Sequence, residues 1–405
     1  MNCYRIEGVL CACGEKLPFE PDGSGAAPEV WLYRRPMEES RASFAPSDAQ
    51  QLTVAAENAE FLCAHGPALP PQLQRALDGR TLRAVNMAWP EWRTRLRAQP
   101  HTQKKRVHIV AMGDVGGTMA LGFRLLGGDV ISAVGICDVN EKAVARWELE
   151  LNQVVDPWGP PMPPVEPVPA ERVFDCDVFV FAATKGVPPL SQTAGDVRMA
   201  QLEANRGLVR LYAKKAREAG FRGLFAVVSD PVDPLAKAAL LASNEDDAGV
   251  FDGLGLLPEQ VQGFGLGVMN ARAVYYAEKN PEFSRYPAEG RAFGPHGEDL
   301  VIADSIERYD DARSRELTRL AVTANLKMRE LGYKPYVAPA LSSAALSILH
   351  AAKGEWHYGS VYLGGAYFGC KNRFGPCGQE TEALPLPETL KARLAASWQA
   401  LKEIG

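Results

Sequence analysis

From Arg106 onward the chain alternates short apolar runs with longer amphipathic ones. Val107-His-Ile-Val-Ala-Met reads as a buried strand, Thr118 to Leu126 as a helix, and Ile131-Ser-Ala-Val-Gly-Ile-Cys as a second strand. A helix follows from Asn140 to Val154. The stretch Asp156 to Pro169 holds too many prolines for regular structure and reads as a surface loop. Asp177-Val-Phe-Val-Phe-Ala182-Ala183 is a third strand, Asp196 to Ala219 a long helix, and Gly223-Leu-Phe-Ala-Val-Val-Ser229 a fourth strand. Strands that alternate with helices in this way pair in parallel through right-handed crossovers, which defines a doubly wound α/β unit. Beyond Gly265 the pattern mixes short strands, such as Gly359 to Phe368, with two long helices, Asp310 to Leu331 and Pro387 to Ile404, an α+β arrangement. The first hundred residues lack a chemical motif, but a helix is expected from Ser47, as N-cap, to Cys63. Trp31, Phe61, Trp89 and Trp92 favour packing over disorder there. The division expected is 1–104, an N-terminal extension or small domain, then 105–265 and 266–405.

Length and composition narrow the function classes. At 405 residues the chain has room for two or three domains, and 46% hydrophobic with 23% charged residues is a globular balance. No apolar run reaches the roughly 20 residues of a membrane span. The opening Met1-Asn-Cys-Tyr-Arg lacks the pattern of a secretory signal, so the expected compartment is the cytoplasm. A net charge of −5 without a basic cluster argues against nucleic acid. Eight scattered cysteines read as reduced thiols, and the Cys11-x-Cys13 pair near Cys3 lacks the spacing of a structural zinc site, so no metal is expected.

The turn after the first α/β strand carries the chemistry. Ala111-Met112-Gly113-Asp114-Val115-Gly116 matches Gly-x-Gly-x-x-Gly with alanine in the first place. In that motif the glycines permit a tight turn, close approach of a pyrophosphate, and helix packing. Asp138, at the end of the second strand, stands where a carboxylate accepts hydrogen bonds from ribose hydroxyls and repels a 2′-phosphate, which favours NAD over NADP. Asp114 puts a negative charge beside the expected pyrophosphate.

Four further segments, with this turn, resemble the NAD-dependent lactate and malate dehydrogenases from Arg106 to near the C-terminus. They are Asp196-Val-Arg198 through Asn205, Val228-Ser229-Asp230-Pro231-Val232-Asp233, Gly263 through Met269 to Arg272, and Gly294-Pro-His296-Gly-Glu298. The resemblance implies a Rossmann-type doubly wound parallel sheet followed by an α+β lactate/malate dehydrogenase-like C-terminal domain. It implies NAD as cofactor, held by Gly113, Asp114, Val115, Gly116, Asp138, Ala182, Ala183, Asn205 and Ser229. It further implies hydride exchange between a 2-hydroxy acid and a 2-keto acid. His296 would transfer the proton, Arg198 would polarise the carbonyl from a substrate loop, and Arg272 would anchor the carboxylate. These residue types suit those roles: histidine titrates near neutrality, and a planar guanidinium grips a carboxylate with two bonds. A dimer or tetramer is the oligomer the resemblance implies.

Three departures stand out. The family's aspartate that orients the histidine is Met269, and a thioether cannot offset an imidazolium. The family's asparagine after the fourth strand is Asp230, so the carboxylate near His296 is expected to have moved there, making Asp230 both a catalytic and a substrate-binding candidate. The substrate loop is longer than usual, leaving Lys185 and, across from it in Gly332-Tyr-Lys334-Pro335, Lys334 as possible readers of substrate charge. Two other functions remain open: a catalytically silent NAD-binding sensor, and a non-standard enzyme on the same scaffold, such as the metal-dependent NAD glycosidases.

Overall fold

The computed structural model describes residues 1–97, 103–185, 194–333 and 338–404, with 194–199 described by backbone alone. Five strands come first: β1 (Asn2–Ile6), β2 (Val9–Cys13), β3 (Val30–Tyr33), β4 (Ser43–Phe44) and β5 (Arg83–Asn86). They form one sheet in the order β1-β2-β3-β5-β4, parallel through its centre and antiparallel at both edges. Next come β6 (Lys105–Val110), β7 (Ile131–Cys137), β8 (Val165–Pro167), β9 (Val178–Phe181), β10 (Leu224–Val227) and β11 (Val261–Gly263). A two-stranded ribbon, β12 (Arg291–Phe293) with β13 (Val301–Ala303), precedes β14 (His357–Leu363), β15 (Ala366–Gly375) and β16 (Gly378–Thr381).

Apart from that ribbon, β6 to β16 make a single sheet in the order β16-β15-β14-β11-β10-β9-β6-β7-β8. Its parallel part steps outward from β6 through β7 to β8 on one side and through β9 and β10 to β11 on the other. The strand order reverses between β6 and β9, the kind of crevice where doubly wound sheets bind ligands. All four residues of β9 are buried because helices cover both faces. Phe179 and Phe181 pack with Leu202, Val209 and Leu235 on one face, while Val178 and Val180 pack with Met119 and Phe123 on the other. That split is the two-residue period of a strand expressed in three dimensions.

Three expectations need correction. The proline-rich stretch is not wholly a loop, since Val165–Pro167 pairs in parallel with β7. An edge strand tolerates proline because one side needs no donor. Arg124 anchors the surrounding chain by donating to the carbonyls of Leu151, Val154, Met162 and Pro163. The helix expected over 47–63 is only Gln50–Thr53 and a short 3₁₀ turn, Ala59–Leu62. Glu57, between them, turns inward to meet Arg41 at 2.8 Å, which a continuous helix would not allow. The apolar run from Gly359 is a hairpin rather than one strand, with β14 and β15 turning at Gly364 and Gly365, both at positive φ.

The N-terminal residues do not stand apart from the body. Phe44, Phe61, Leu62 and Leu73 share a core with Phe293, Val361, Phe368 and Leu390. Bridges from Ala45 to Glu380 and from Cys63 to Leu384 extend the contact through the backbone. Cys11 and Cys13 are buried residues of β2, and burial pushes the Cys11 thiol up to about 12.

Candidate active site

The glycine turn links β6 to the helix Asp114–Leu126. Ala111 occupies its first position at φ +75, a left-handed conformation in which a Cβ is strained. At Gly116 a Cβ would lie 2.0 Å from the Ala111 carbonyl oxygen, so only glycine lets the helix start this close to the strand. At Gly113 an added Cβ meets nothing within 4 Å, leaving the backbone open to a ligand. Asp138 reaches back to the turn: Oδ2 accepts from the Met112 amide at 2.6 Å and Oδ1 from that of Asn140 at 2.8 Å. The carboxylate is thus fixed at the tip of β7, where each oxygen retains a lone pair. Trp147 closes the outer side by donating to the Met112 carbonyl at 3.0 Å. This cradle fits a dinucleotide, with Asp114 as its one electrostatic cost. We expect Ala111→Gly to raise stability by up to about 1 kcal/mol in chemical denaturation, because relief of the left-handed strain exceeds the added freedom of the unfolded chain. A loss of stability would contradict the turn geometry.

The ends of β9 and β10 are tied together by buried polar groups. Ser229 Oγ donates to the Ala183 carbonyl at 2.7 Å. Asn205 Nδ2 donates to the Asp230 carbonyl at 2.8 Å, and its Oδ1 accepts from the Lys185 amide at 3.0 Å. Both ends of the Asn205 side chain are therefore engaged, one with the Asp230 backbone and the other with that of Lys185. The side chain of Arg198 lies outside the described residues, as does Lys334. The Lys185 ammonium lies over Gly207 on the long helix Ala194–Glu218, 4.0 Å from where a Cβ would stand.

Asp230, His296 and Arg272 converge on one pocket of about 60 Å³. His296 is held from three sides. Its backbone amide donates to the buried Asp233 carboxylate at 3.1 Å, and its Nδ1 donates to the Gly265 carbonyl at 2.9 Å. The Nδ1 atom must carry the proton, because a carbonyl only accepts. A Cβ on Gly265 would come 2.7 Å from His296 Cβ, so that glycine gives the ring its room. The Nε2 atom then faces Asp230 Oδ1 at 3.7 Å. Arg272 enters from the helix Leu266–Lys279, donating to the Ala321 carbonyl at 3.2 Å and touching Met269 Sδ at 3.5 Å. Met269 itself is buried among Leu266, Leu317 and Ala321. Val115 from the glycine-turn helix, with Val232, Phe264 and Val268, forms the apolar wall.

Sequence reasoning missed two parts of this arrangement. The contact at Nδ1 comes from a backbone carbonyl, which no side-chain motif reveals. The far rim is Pro339, Ala340 and Ser343, beyond the Gly332 to Pro335 turn to which the loop-facing role was assigned. Asp233 was visible in the sequence as the last residue of its motif, but its contact with the His296 amide depends on tertiary structure.

The fold and pocket define a doubly wound α/β protein whose glycine turn and polar cluster share one crevice. No family model matches the chain. Its sequence is 27% identical over 204 residues to the L-lactate dehydrogenase of Treponema denticola and 24% identical over 329 residues to that of Halalkalibacterium halodurans. The first match covers 50% of this chain and 58% of the relative, the second 75% and 97%. For the Mycoplasma pneumoniae L-lactate dehydrogenase the match likewise spans only 57% of the relative. Among solved structures, a minor L-lactate dehydrogenase of Enterococcus mundtii superposes with a TM-score of 0.60 at 21% identity, covering 74% of this chain and 97% of the other. A malate dehydrogenase of Archaeoglobus fulgidus in complex with NADH gives 0.57 at 18% identity, over 74% and 98%. In sequence, at 24–27% identity, and in fold the chain is similar to these lactate and malate dehydrogenases.

Proposed function

We propose that the protein is an NAD-dependent oxidoreductase interconverting a 2-hydroxy acid and a 2-keto acid. The observation that carries this reading is that Val115, from the glycine-turn helix, lines the same pocket as His296, Asp230 and Arg272. Gly113, Val115, Gly116, Asp138, Ala182, Ala183 and Ser229 would hold NAD, which supplies or accepts the hydride when bound. The segment 105–265 would thus carry the cofactor, and 266–405 would complete the substrate site.

His296 would hold and move the proton at the C2 oxygen. Its Gly265 bond fixes the ring so that Nε2 points inward, and Asp230 offsets the imidazolium charge that the aspartate at position 269 offsets elsewhere in the family. Arg272 would bind the substrate carboxylate through two charge-assisted bonds, and Arg198 would steady the developing alkoxide. The apolar wall excludes water from C2 and favours an uncharged substituent.

The test is NADH absorbance decay with purified protein over a panel of straight, branched and dicarboxylic 2-keto acids. Turnover of one class supports the reading, whereas tight NADH binding without turnover would favour a silent sensor. For the substrate that turns over best, Arg272→Lys is expected to raise KM about 10- to 100-fold, because an ammonium cannot reproduce the paired guanidinium bonds. An unchanged KM would remove Arg272 from carboxylate binding.

A further inference from the structure

In this pocket the carboxylate lies on the substrate side of the histidine. The rear nitrogen, Nδ1, is already committed to the Gly265 carbonyl at 2.9 Å, so the Asp230 carboxylate faces the inward nitrogen, Nε2, at 3.7 Å. When the imidazole is neutral, two acceptors therefore converge on the place where the heteroatom of C2 would sit: the Nε2 lone pair and an Asp230 oxygen. A 2-hydroxy acid offers one O–H to these two acceptors. A ketone offers none and turns its oxygen lone pairs toward a carboxylate, which repels them. A protonated secondary amine offers two N–H donors and a positive charge.

Resting on the NAD-dependent reading of this pocket, the geometry points to a further activity: reduction of a cyclic 2-imino acid to the corresponding cyclic 2-amino acid, with Asp230 as the residue that selects nitrogen over oxygen. Arg272 lines the same pocket and meets the carboxylate, while Val232, Phe264 and Val268 offer apolar surface to the ring methylenes. Reduction adds a hydride, supplied by the nicotinamide dinucleotide, to C2 of the iminium, and the C=N π pair moves onto nitrogen. The iminium nitrogen already bears its proton, so the addition needs none from the protein. The amine formed takes up one proton from water to become the ammonium that Asp230 holds. In the oxidative direction His296 Nε2 accepts that proton before hydride leaves C2.

The first measurement is binding rather than turnover. The protein loaded with NADH is titrated calorimetrically with pyrrolidine-2-carboxylate and with tetrahydrofuran-2-carboxylate, which has the same ring with oxygen in place of the NH₂⁺ group. We expect the amino acid to bind at least about tenfold more tightly, a difference of about 1.4 kcal/mol. Asp230→Asn should abolish that preference. The Asp230 side chain is 36% exposed and its replacement is isosteric, so the variant should keep the wild-type circular dichroism spectrum. The second measurement compares NADH oxidation with 1-pyrroline-2-carboxylate and with 2-oxopentanoate. The imine should show the higher kcat/KM, and Asp230→Asn should lower that ratio at least about tenfold. Equal or tighter binding of the oxygen analogue overturns the inference. Turnover of the keto acid without the imine overturns it while leaving the dehydrogenase reading intact. Turnover of neither overturns the inference, and the dehydrogenase reading is then decided by the wider 2-keto acid panel.

Discussion

His296→Asn is expected to lower NADH-dependent reduction of the best 2-keto acid by about 10²- to 10⁴-fold, the range that a positioned general acid contributes. The loss should fall on kcat. An asparagine amide can donate a hydrogen bond to a ketone oxygen, but it cannot give up a proton to the alkoxide that forms when hydride arrives. NADH affinity, read by fluorescence quenching, should change little, because the glycine turn and Asp138 lie on other elements. Fold integrity is the natural concern, since the His296 ring contacts the Gly265 carbonyl and its backbone amide reaches Asp233. The backbone contact survives the substitution, and the shorter side chain creates no clash. Loss of less than about tenfold would remove His296 from proton transfer. It would also leave Asp230, 3.7 Å from Nε2, as the nearer candidate.

How far the sequence foretold this arrangement depends on how local each determinant is. Val178-Phe-Val-Phe181 announces a strand covered on both sides because every residue is apolar, and the alternation with helices then yields the parallel order. That Asp230 and His296 lie near each other is implied only by the resemblance to the lactate and malate dehydrogenases, and the structure places them 3.7 Å apart. The Gly265 carbonyl at Nδ1 was not legible, because a backbone acceptor carries no residue-type signal. The strand at Val165–Pro167 was hidden by its prolines, whose cost disappears only at a sheet edge, a position fixed by tertiary structure. The short helix in place of 47–63 was hidden for a related reason. Local periodicity favours a helix there, but Glu57 turns inward to an ion-pair partner on another segment, a tertiary contact that periodicity does not reveal.

That ion pair supports the second large prediction. Arg41 and Glu57 meet at 2.8 Å with both side chains wholly buried. The guanidinium lies 4.5 Å from the Phe44 ring centre and 4.6 Å from that of Phe61, and Ser40 Oγ donates to Glu57 Oε1 at 2.5 Å. The cluster sits in the core that the N-terminal residues share with β14 and β15. Glu57→Ala would leave the Arg41 charge buried without its close counter-ion and is expected to cost about 3–5 kcal/mol, a large part of the stability of an ordinary domain. Trp89 is the natural reporter, since it is buried and its Nε1 donates to the Ser40 carbonyl at 3.2 Å. Its fluorescence in a urea titration should show the N-terminal transition at markedly lower denaturant than in the wild type. The double replacement Arg41→Met with Glu57→Leu should recover most of the loss, because it removes both charges and keeps the volume. A cost under about 1 kcal/mol in the single variant would show that the buried Arg41 charge is compensated without Glu57 and would overturn this account; Arg35, whose Nη1 is 3.7 Å from the same carboxylate, should if anything add to the loss.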